Sequence, residues 1–316
     1  MTVRLTPEQV REKYGPMFNR GLFTLVDEKA GKVRIIETCT AKGPAEWDLV
    51  NRRRTGGVIN VINLVGHTLV MDCAIGEKTL KAGPASAELG GQGVFKLEVD
   101  GDEVRTGWWG IAGASVGVGA CLPQSPDVIY TEYPDDFKMG GGHESKVTIV
   151  TPKMVRVIIG VDDTDTKEKG ATWAVGLSMA RNCPYGKFLE HRIIQLNPKS
   201  PTKTTNCVAT AVSFAVREKD VPALVEYCFD FIKERSYSED AVMTVFTGLD
   251  IPKDLSEFGY QAKSVMFERE KGIEIAQKCG VQIIEVTGKG GTIGAIAAIG
   301  CFDLGTEAAG VPEDFE

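Results

Sequence analysis

The chain has 316 residues, 43% hydrophobic and 25% charged, a globular composition with ample apolar material for a core and a length that predicts two domains. Its formal net charge of -7 argues against a broad basic face, so a nucleic-acid partner is not expected. No apolar run is long enough to span a bilayer, and Met1-Thr2-Val3-Arg4 lacks the apolar core of a signal peptide, so a cytoplasmic protein without a membrane partner is expected.

The first half is rich in glycine and short alternating runs. Thr6-Pro7-Glu8-Gln9 reads as a capped helix start with proline at the first helical position. Strands are predicted over Val33–Thr38, Gly57–Leu64 and Val94–Val99, and Asp100-Gly101 is a hairpin turn leading into Glu103–Thr106. Arg52-Arg53-Arg54 reads as a solvated basic turn. Trp108 to Cys121 mixes paired tryptophans with five glycines; close backbone packing is one reading and a ligand loop ending in the Cys121 thiol is the other. The eight cysteines are scattered with no C-x-x-C pair, which predicts buried thiols rather than a zinc site, and three histidines leave little for imidazole chemistry. Gly140-Gly141-Gly142 reads as a flexible joint, placing a domain boundary between about 140 and 153.

Strand and helix then alternate more regularly. Strands are predicted at 155–161, His191–Leu196, Val208–Phe214, Val242–Phe246 and Val281–Val286. Helices are predicted at Thr172–Asn182 and Asp220–Glu234, with a charged helix over 262–279 and a small-residue segment over Gly294–Gly300. Such alternation implies α/β layers.

The apolar run Val155 to Val161 ends in Asp162, Asp163 and Asp165, three carboxylates within four residues. They repel one another unless a cation sits among them, so they are candidate Mg²⁺ ligands beside a nucleotide phosphate. A calcium loop fails on spacing: counted from Asp163, the sixth position is Glu168 rather than glycine and the twelfth is Ala174 rather than glutamate. A capping turn remains an alternative for one or two of the acids. Thr164 and Thr172 are the nearby hydroxyls, and Thr172 is either an N-cap or a group at the positive end of a helix, next to phosphate. The polar loop 196–206 offers Asn197, Lys199 and Lys203. Gly288, Gly290 and Gly291 lie in a glycine run that can form an anion-binding nest but lacks P-loop spacing.

The ordered set Gly160-Val161-Asp162-Asp163-Thr164-Asp165, Thr172, Leu196-Asn197-Pro198 with Pro201 and Lys203-Thr204, and Gly291-Thr292-Ile293-Gly294-Ala295 through Gly300 resembles the kinase-like and ferredoxin-like part of the archaeal tRNA(Ile) agmatinylcytidine synthetases, over about 155 to 301. The chain as a whole resembles the methanogenesis marker protein 11 family, which has no assigned biochemical role. The resemblance implies ATP and Mg²⁺ as cofactors. It places Asp162, Asp163 and Asp165 at the synthetase aspartates, Thr172 at a threonine phosphorylated in cis, and Lys203 in a phosphate-facing loop. The sequence departs where the synthetase pattern K-T-R-G-N reads Lys203-Thr204-Thr205-Asn206-Cys207, and it ends at Glu316 without nucleic-acid-binding or zinc-ribbon modules.

The expectation is therefore an α/β protein with α+β layers in two domains. A β-rich domain at 1–145 would recognise substrate or partner, and a mixed α/β kinase-like and ferredoxin-like ATP/Mg²⁺ domain at 153–305 precedes a tail at 306–316. The leading functional expectation is an ATP-dependent phosphotransferase or activating enzyme linked to methanogenesis. Asp163, Asp165, Thr172 and Lys203 would be catalytic, and the acceptor would be an unidentified small molecule or a protein such as a methanogenic enzyme. A nucleotide-binding assembly factor and a tRNA-modifying enzyme are the alternatives; the second predicts tRNA binding with steep salt dependence.

Overall fold

The computed structural model describes residues 2–81, 86–313 and 315, and the chain divides into two compact units, Met1–Met154 and Val155–Glu316. Helix and sheet are mixed in both, as the alternating sequence pattern implies.

In the first unit, β1 (Thr2–Leu5) precedes α1 (Pro7–Tyr14), whose Thr6 cap and Gln9 hydrogen-bond reciprocally. β2 (Asn19–Asp27) and β3 (Lys32–Cys39) form a hairpin, followed by α2 (Lys42–Thr55), β4 (Ile59–Val65), β5 (Thr68–Ala74) and the short β6 (Gly76–Glu77). A helical turn, α3 (Ser86–Leu89), leads into β7 (Gly91–Asp100) and β8 (Glu103–Ile111), joined by a tight turn in which Gly101 takes φ +57°. After α4 (Ala114–Val116), β9 (Tyr130–Pro134) and β10 (Glu144–Asp162) complete the set. Strands β4, β5, β3 and β2 pair antiparallel in that order, and β10 pairs antiparallel with β8 and β9. A core around Leu22, Ile35, Met71, Leu97, Trp108 and Ile149 fills the unit.

Two expectations change here. Arg52 is not solvated: α2 turns it inward and its side chain is fully buried. The glycines at 140–142 do not open into a linker. Gly140 and Gly141 take positive φ in a turn that feeds directly into β10, and that strand continues through the division at Met154.

In the second unit, β10 is the central strand. It pairs antiparallel with β12 (Val208–Val216) and β13 (Val242–Thr247), which are flanked by β11 (Lys187–Gln195) and β14 (Gln282–Glu285). Side chains alternate across a strand. Val157, Ile159 and Val161 therefore pack with α5 (Thr172–Asn182) and α6 (Val221–Arg235), through residues such as Met179, Leu224, Cys228 and Ile232. Ile158 instead packs with α7 (Lys253–Gln261), α8 (Arg269–Cys279) and α9 (Thr292–Gly300). The charged stretch 262–279 is thus not one helix. A turn at 262–264 interrupts it, because Lys263 is buried and its ammonium donates to the carbonyls of Gln195 and Ala308 at 2.9 and 2.8 Å. Residues 302–309 form a further 3₁₀ segment with Ala308 buried, so this part of the predicted tail is packed.

α9 lies flush on β10. A Cβ at Gly160 would stand 2.3 Å from the Ala295 carbonyl oxygen, so only glycine permits that approach. No single helix among the described residues is long and apolar enough to cross a membrane.

Candidate functional site

β10 delivers its acids by simple geometry. Val161 is buried on the sheet, Asp162 is the last strand residue, and Asp163 leaves the strand with φ +57°, a left-handed conformation that aspartate tolerates better than most residues. That reversal sends Thr164 inward, fully buried, and carries Asp165 toward α5.

Thr172 ties the turn together. Its Oγ1 accepts from the Thr164 amide and from the Thr164 hydroxyl, both at 3.1 Å, and donates to Asp165 Oδ1 at 2.7 Å. Asp165 Oδ2 accepts from Thr204 Oγ1 at 3.1 Å, so the loop 196–206 is joined to the same carboxylate. Thr172 is not an N-cap. Ala171 holds that position with no side-chain cap, while Thr172 is the first helical residue and is 2% exposed.

These elements border a cavity of about 430 Å³ in the second unit. Asp162, Asp163, Asp165, Asn197, Lys203 and Gly290 line it, as do Thr204 and Gly294. Lys203 Nζ also donates to the Pro198 carbonyl within its own loop. Asn197 is chiefly a loop staple: its amide nitrogen donates to the Ser264 carbonyl and its carbonyl accepts from the Lys199 amide, both at 2.9 Å. Lys199 does not line the cavity; its ammonium lies 5.1 Å from the centroid of the Phe315 ring.

The glycine run divides in the same way. Gly290 donates its amide to Asp240 Oδ1 at 3.1 Å and faces the cavity. Gly288 is a packing position, since a Cβ there would meet the Glu239 carbonyl oxygen at 2.0 Å. Gly291 is the N-cap of α9, and a Cβ there would meet the Asp162 carbonyl oxygen at 2.8 Å. At Gly294 a Cβ would fall 1.7 Å from Asp162 Oδ2, so the helix N-terminus and the carboxylate are in direct contact. The first amides of a helix have no partner within it and favour anions.

Asp240 is the residue that the sequence reading missed. It precedes β13, and the pairing of Asp162 with Val242 brings this fourth acid to the end of β10 where Asp163 turns. Only the antiparallel register reveals it, because a long stretch of chain separates the two. Arg269 and Lys289 were missed for the same reason; both line the cavity. Arg269 donates to Thr292 Oγ1 at 3.0 Å and pairs with Glu285 at 2.5 Å.

The acids raise one another's pKa. Burial, then the charges of Asp163 and Asp165, holds the Asp162 carboxyl well above the usual carboxylate range. Burial, then Asp240 and Asp165, pushes Asp163 up to about 6. A cation placed among them would relieve both effects. The acids do not form a closed cage, however. Among the described residues, the group of three metal-type donors lying within 4.8 Å of one another is Glu37, Cys39 and Asp48, in the first unit. All eight cysteines are free thiols.

An acidic cavity at the end of a sheet, edged by a helix N-terminus and basic side chains, is of the kind that suits a phosphate or a nucleotide. Residues 158–225 match the TiaS TCKD domain. The chain belongs to the family of the uncharacterized protein MJ0921 of Methanocaldococcus jannaschii, to which it is 34% identical over 302 residues, covering 94% of this chain and 98% of that one. It is also 32% identical over 154 residues to the tRNA 2-agmatinylcytidine synthetase TiaS of Thermococcus sibiricus, an enzyme named for a minor isoleucine tRNA, covering 46% of this chain and 35% of the synthetase. A crystal structure of TiaS in complex with that tRNA and ATP aligns with a TM-score of 0.42 at 25% identity, covering 46% of this chain and 36% of that one. The chain thus spans about a third of the synthetases' length.

These likenesses overturn the leading functional expectation. The named enzymes that share the second unit's sequence modify tRNA, so the reading as a methanogenesis-linked phosphotransferase gives way to the tRNA-modifying alternative. The expectation against nucleic acid falls with it. It rested on a net charge summed over 316 residues, which says little about one local face.

Proposed function

We propose that the second unit binds ATP with Mg²⁺ in the acidic cavity, and that the protein uses this ATP to modify a tRNA. The observation that carries the reading is the location of the cavity. Its acids, Lys203 loop and glycine run all fall in the stretch that is similar to tRNA-modifying synthetases. The donor set supports Mg²⁺: carboxylates and hydroxyls are hard oxygen donors, and Mg²⁺ takes one or two carboxylates while keeping several waters, so loosely spaced acids suit it.

In this reading Asp162, Asp163 and Asp165 hold the metal. Thr172 and Thr164 fix the turn, and Thr172 orients Asp165 from inside the fold. Lys203, Gly290 and the N-terminus of α9 face phosphate, with Arg269 and Lys289 completing the basic rim. Bound Mg²⁺ would supply charge neutralisation for the polyphosphate, and the remaining work of the site is positioning.

The test uses the full chain with Mg²⁺, γ-labelled ATP and unfractionated tRNA. ATP turnover should rise on adding tRNA, and tRNA retention should weaken steeply with salt. Turnover indifferent to tRNA, together with no retention of tRNA at low salt, would refute the proposal.

A further inference from the structure

The first unit has a second cavity, of about 410 Å³, that the proposed function does not use. Its walls come from the mouth of α2 and from the segment after β8, the stretch for which the sequence left a ligand loop open. Phe18, Trp47, Val116 and Leu122 give it apolar sides. Its polar floor is Glu37, Cys39, Asp48 and Gln92, all of them at least largely buried.

The floor is built around one cation placed behind it. Arg52 pairs with Glu37 Oε2, reaches Asp48 Oδ2 at 3.4 Å, and donates to Gln92 Oε1 at 2.9 Å, while its guanidinium stacks 4.8 Å from the Trp108 ring centroid. Arg52 itself does not line the cavity. The cavity therefore sees the acidic members of the cluster and not the basic one. Two carboxyls share one guanidinium, which leaves the floor one negative charge in excess when both are ionised.

Three observations narrow the occupant. A dication would sit close to Arg52 and repel it. The thiol of Cys39 is held protonated, with burial pushing it up to about 12, and it donates to Glu37 Oε1 at 3.7 Å, so it is poorly suited to metal or nucleophilic work. Nor is Cys121 a reactive thiol, since burial pushes it up to about 11. Finally, Gly117 lines the cavity with φ -55°, and a Cβ there would meet nothing within 4 Å, so the space in front of it is open.

We propose that this cavity binds a small organic monocation, an amine or amidine on an apolar or aromatic body, with the cation against Asp48 and Glu37 and the body between Trp47 and Leu122. The proposal stands on the first unit alone. The charge balance agrees with it. Burial, offset by Arg52 and reinforced by Glu37, pushes Asp48 up to about 7, so a bound cation replaces the proton that the site otherwise takes up. The groups facing Asp48 are Glu37 and Cys39 on β3, Arg52 on its own helix and Gln92 on β7, with Cys121 across the cavity.

The experiment measures binding of benzamidine and of its neutral isostere benzamide to the full chain by calorimetry. Benzamidine should bind saturably and at least about tenfold more tightly than benzamide. Asp48→Asn should remove that preference while circular dichroism stays unchanged, and Gly117→Leu, which adds bulk where nothing clashes, should remove binding of both. Benzamidine should also weaken as the pH falls below about 7. The proposal is overturned by equal binding of the two compounds, by no saturable binding of benzamidine, or by binding lost in Asp163→Asn but kept in Asp48→Asn and Gly117→Leu. Tight Zn²⁺ binding that needs Cys39 and that benzamidine cannot displace would assign the floor to a metal and overturn it as well.

Discussion

Each unit of the molecule gathers carboxylates in a buried or half-buried cluster, and the two clusters are balanced differently. In the first unit, Glu37 and Asp48 carry their own counter-ion, since Arg52 is fully buried against both. In the second, the bonds that hold the acids come from hydroxyls and backbone amides: Thr172 and Thr204 to Asp165, and Gly290 to Asp240. Burial of a charge demands compensation, and a fold can supply it permanently or leave it to a ligand. The first cluster is therefore mainly architecture with a residual charge, and the second leaves its compensation to a cation.

The strongest way to break this comparison is to remove the internal counter-ion. Arg52→Met should leave Glu37 and Asp48 buried without a partner and cost about 3–5 kcal/mol, seen as a large drop in the urea midpoint. Asp163→Asn, which relieves repulsion with Asp165 and Asp240, should be neutral or stabilising in the same measurement. Similar costs for the two variants would mean that the clusters are alike.

A smaller effect sharpens the second cluster. Gly294→Ala places a methyl group on Asp162 Oδ2 and should cost about 1–3 kcal/mol, because the carboxylate must swing away from the α9 N-terminus. Nucleotide affinity should fall further than stability does. Binding at the wild-type level would show that this contact is incidental.

The smallest effect is on pH dependence. Asp48 titrates near 7 in the fold against 3.8 as the ordinary value, and Asp163 near 6. The native chain therefore binds more protons than the unfolded chain between about 4 and 7. Stability should be greatest at the acid end of that window and should be lost as the pH rises through about 7. Melting temperature followed from pH 5 to pH 8 checks this, and Asp48→Asn should flatten the upper part of the curve.

Much of the second unit was legible in the sequence. The helix Thr172–Asn182 matches its expected bounds, and the β10 run ends where the acids begin. Apolar periodicity carries such elements because their faces are uniformly buried. Arg52 was illegible: three adjacent arginines look solvated, and only helix phase, with Asp48 one turn earlier and Glu37 on β3, reveals the partner set. Asp240 was illegible because strand register, not proximity in sequence, places it beside Asp163. The break at 262–264 was hidden because the interactions that hold Lys263 come from Gln195 and Ala308, far along the chain.

The most direct test of the account is equilibrium binding of ATP to the full chain with and without Mg²⁺, in wild type, Asp163→Asn and Asp48→Asn. The account predicts Mg²⁺-dependent affinity in wild type, its loss in Asp163→Asn, and its retention in Asp48→Asn. Affinity unchanged in Asp163→Asn would contradict it and return the acids of the second unit to a structural turn.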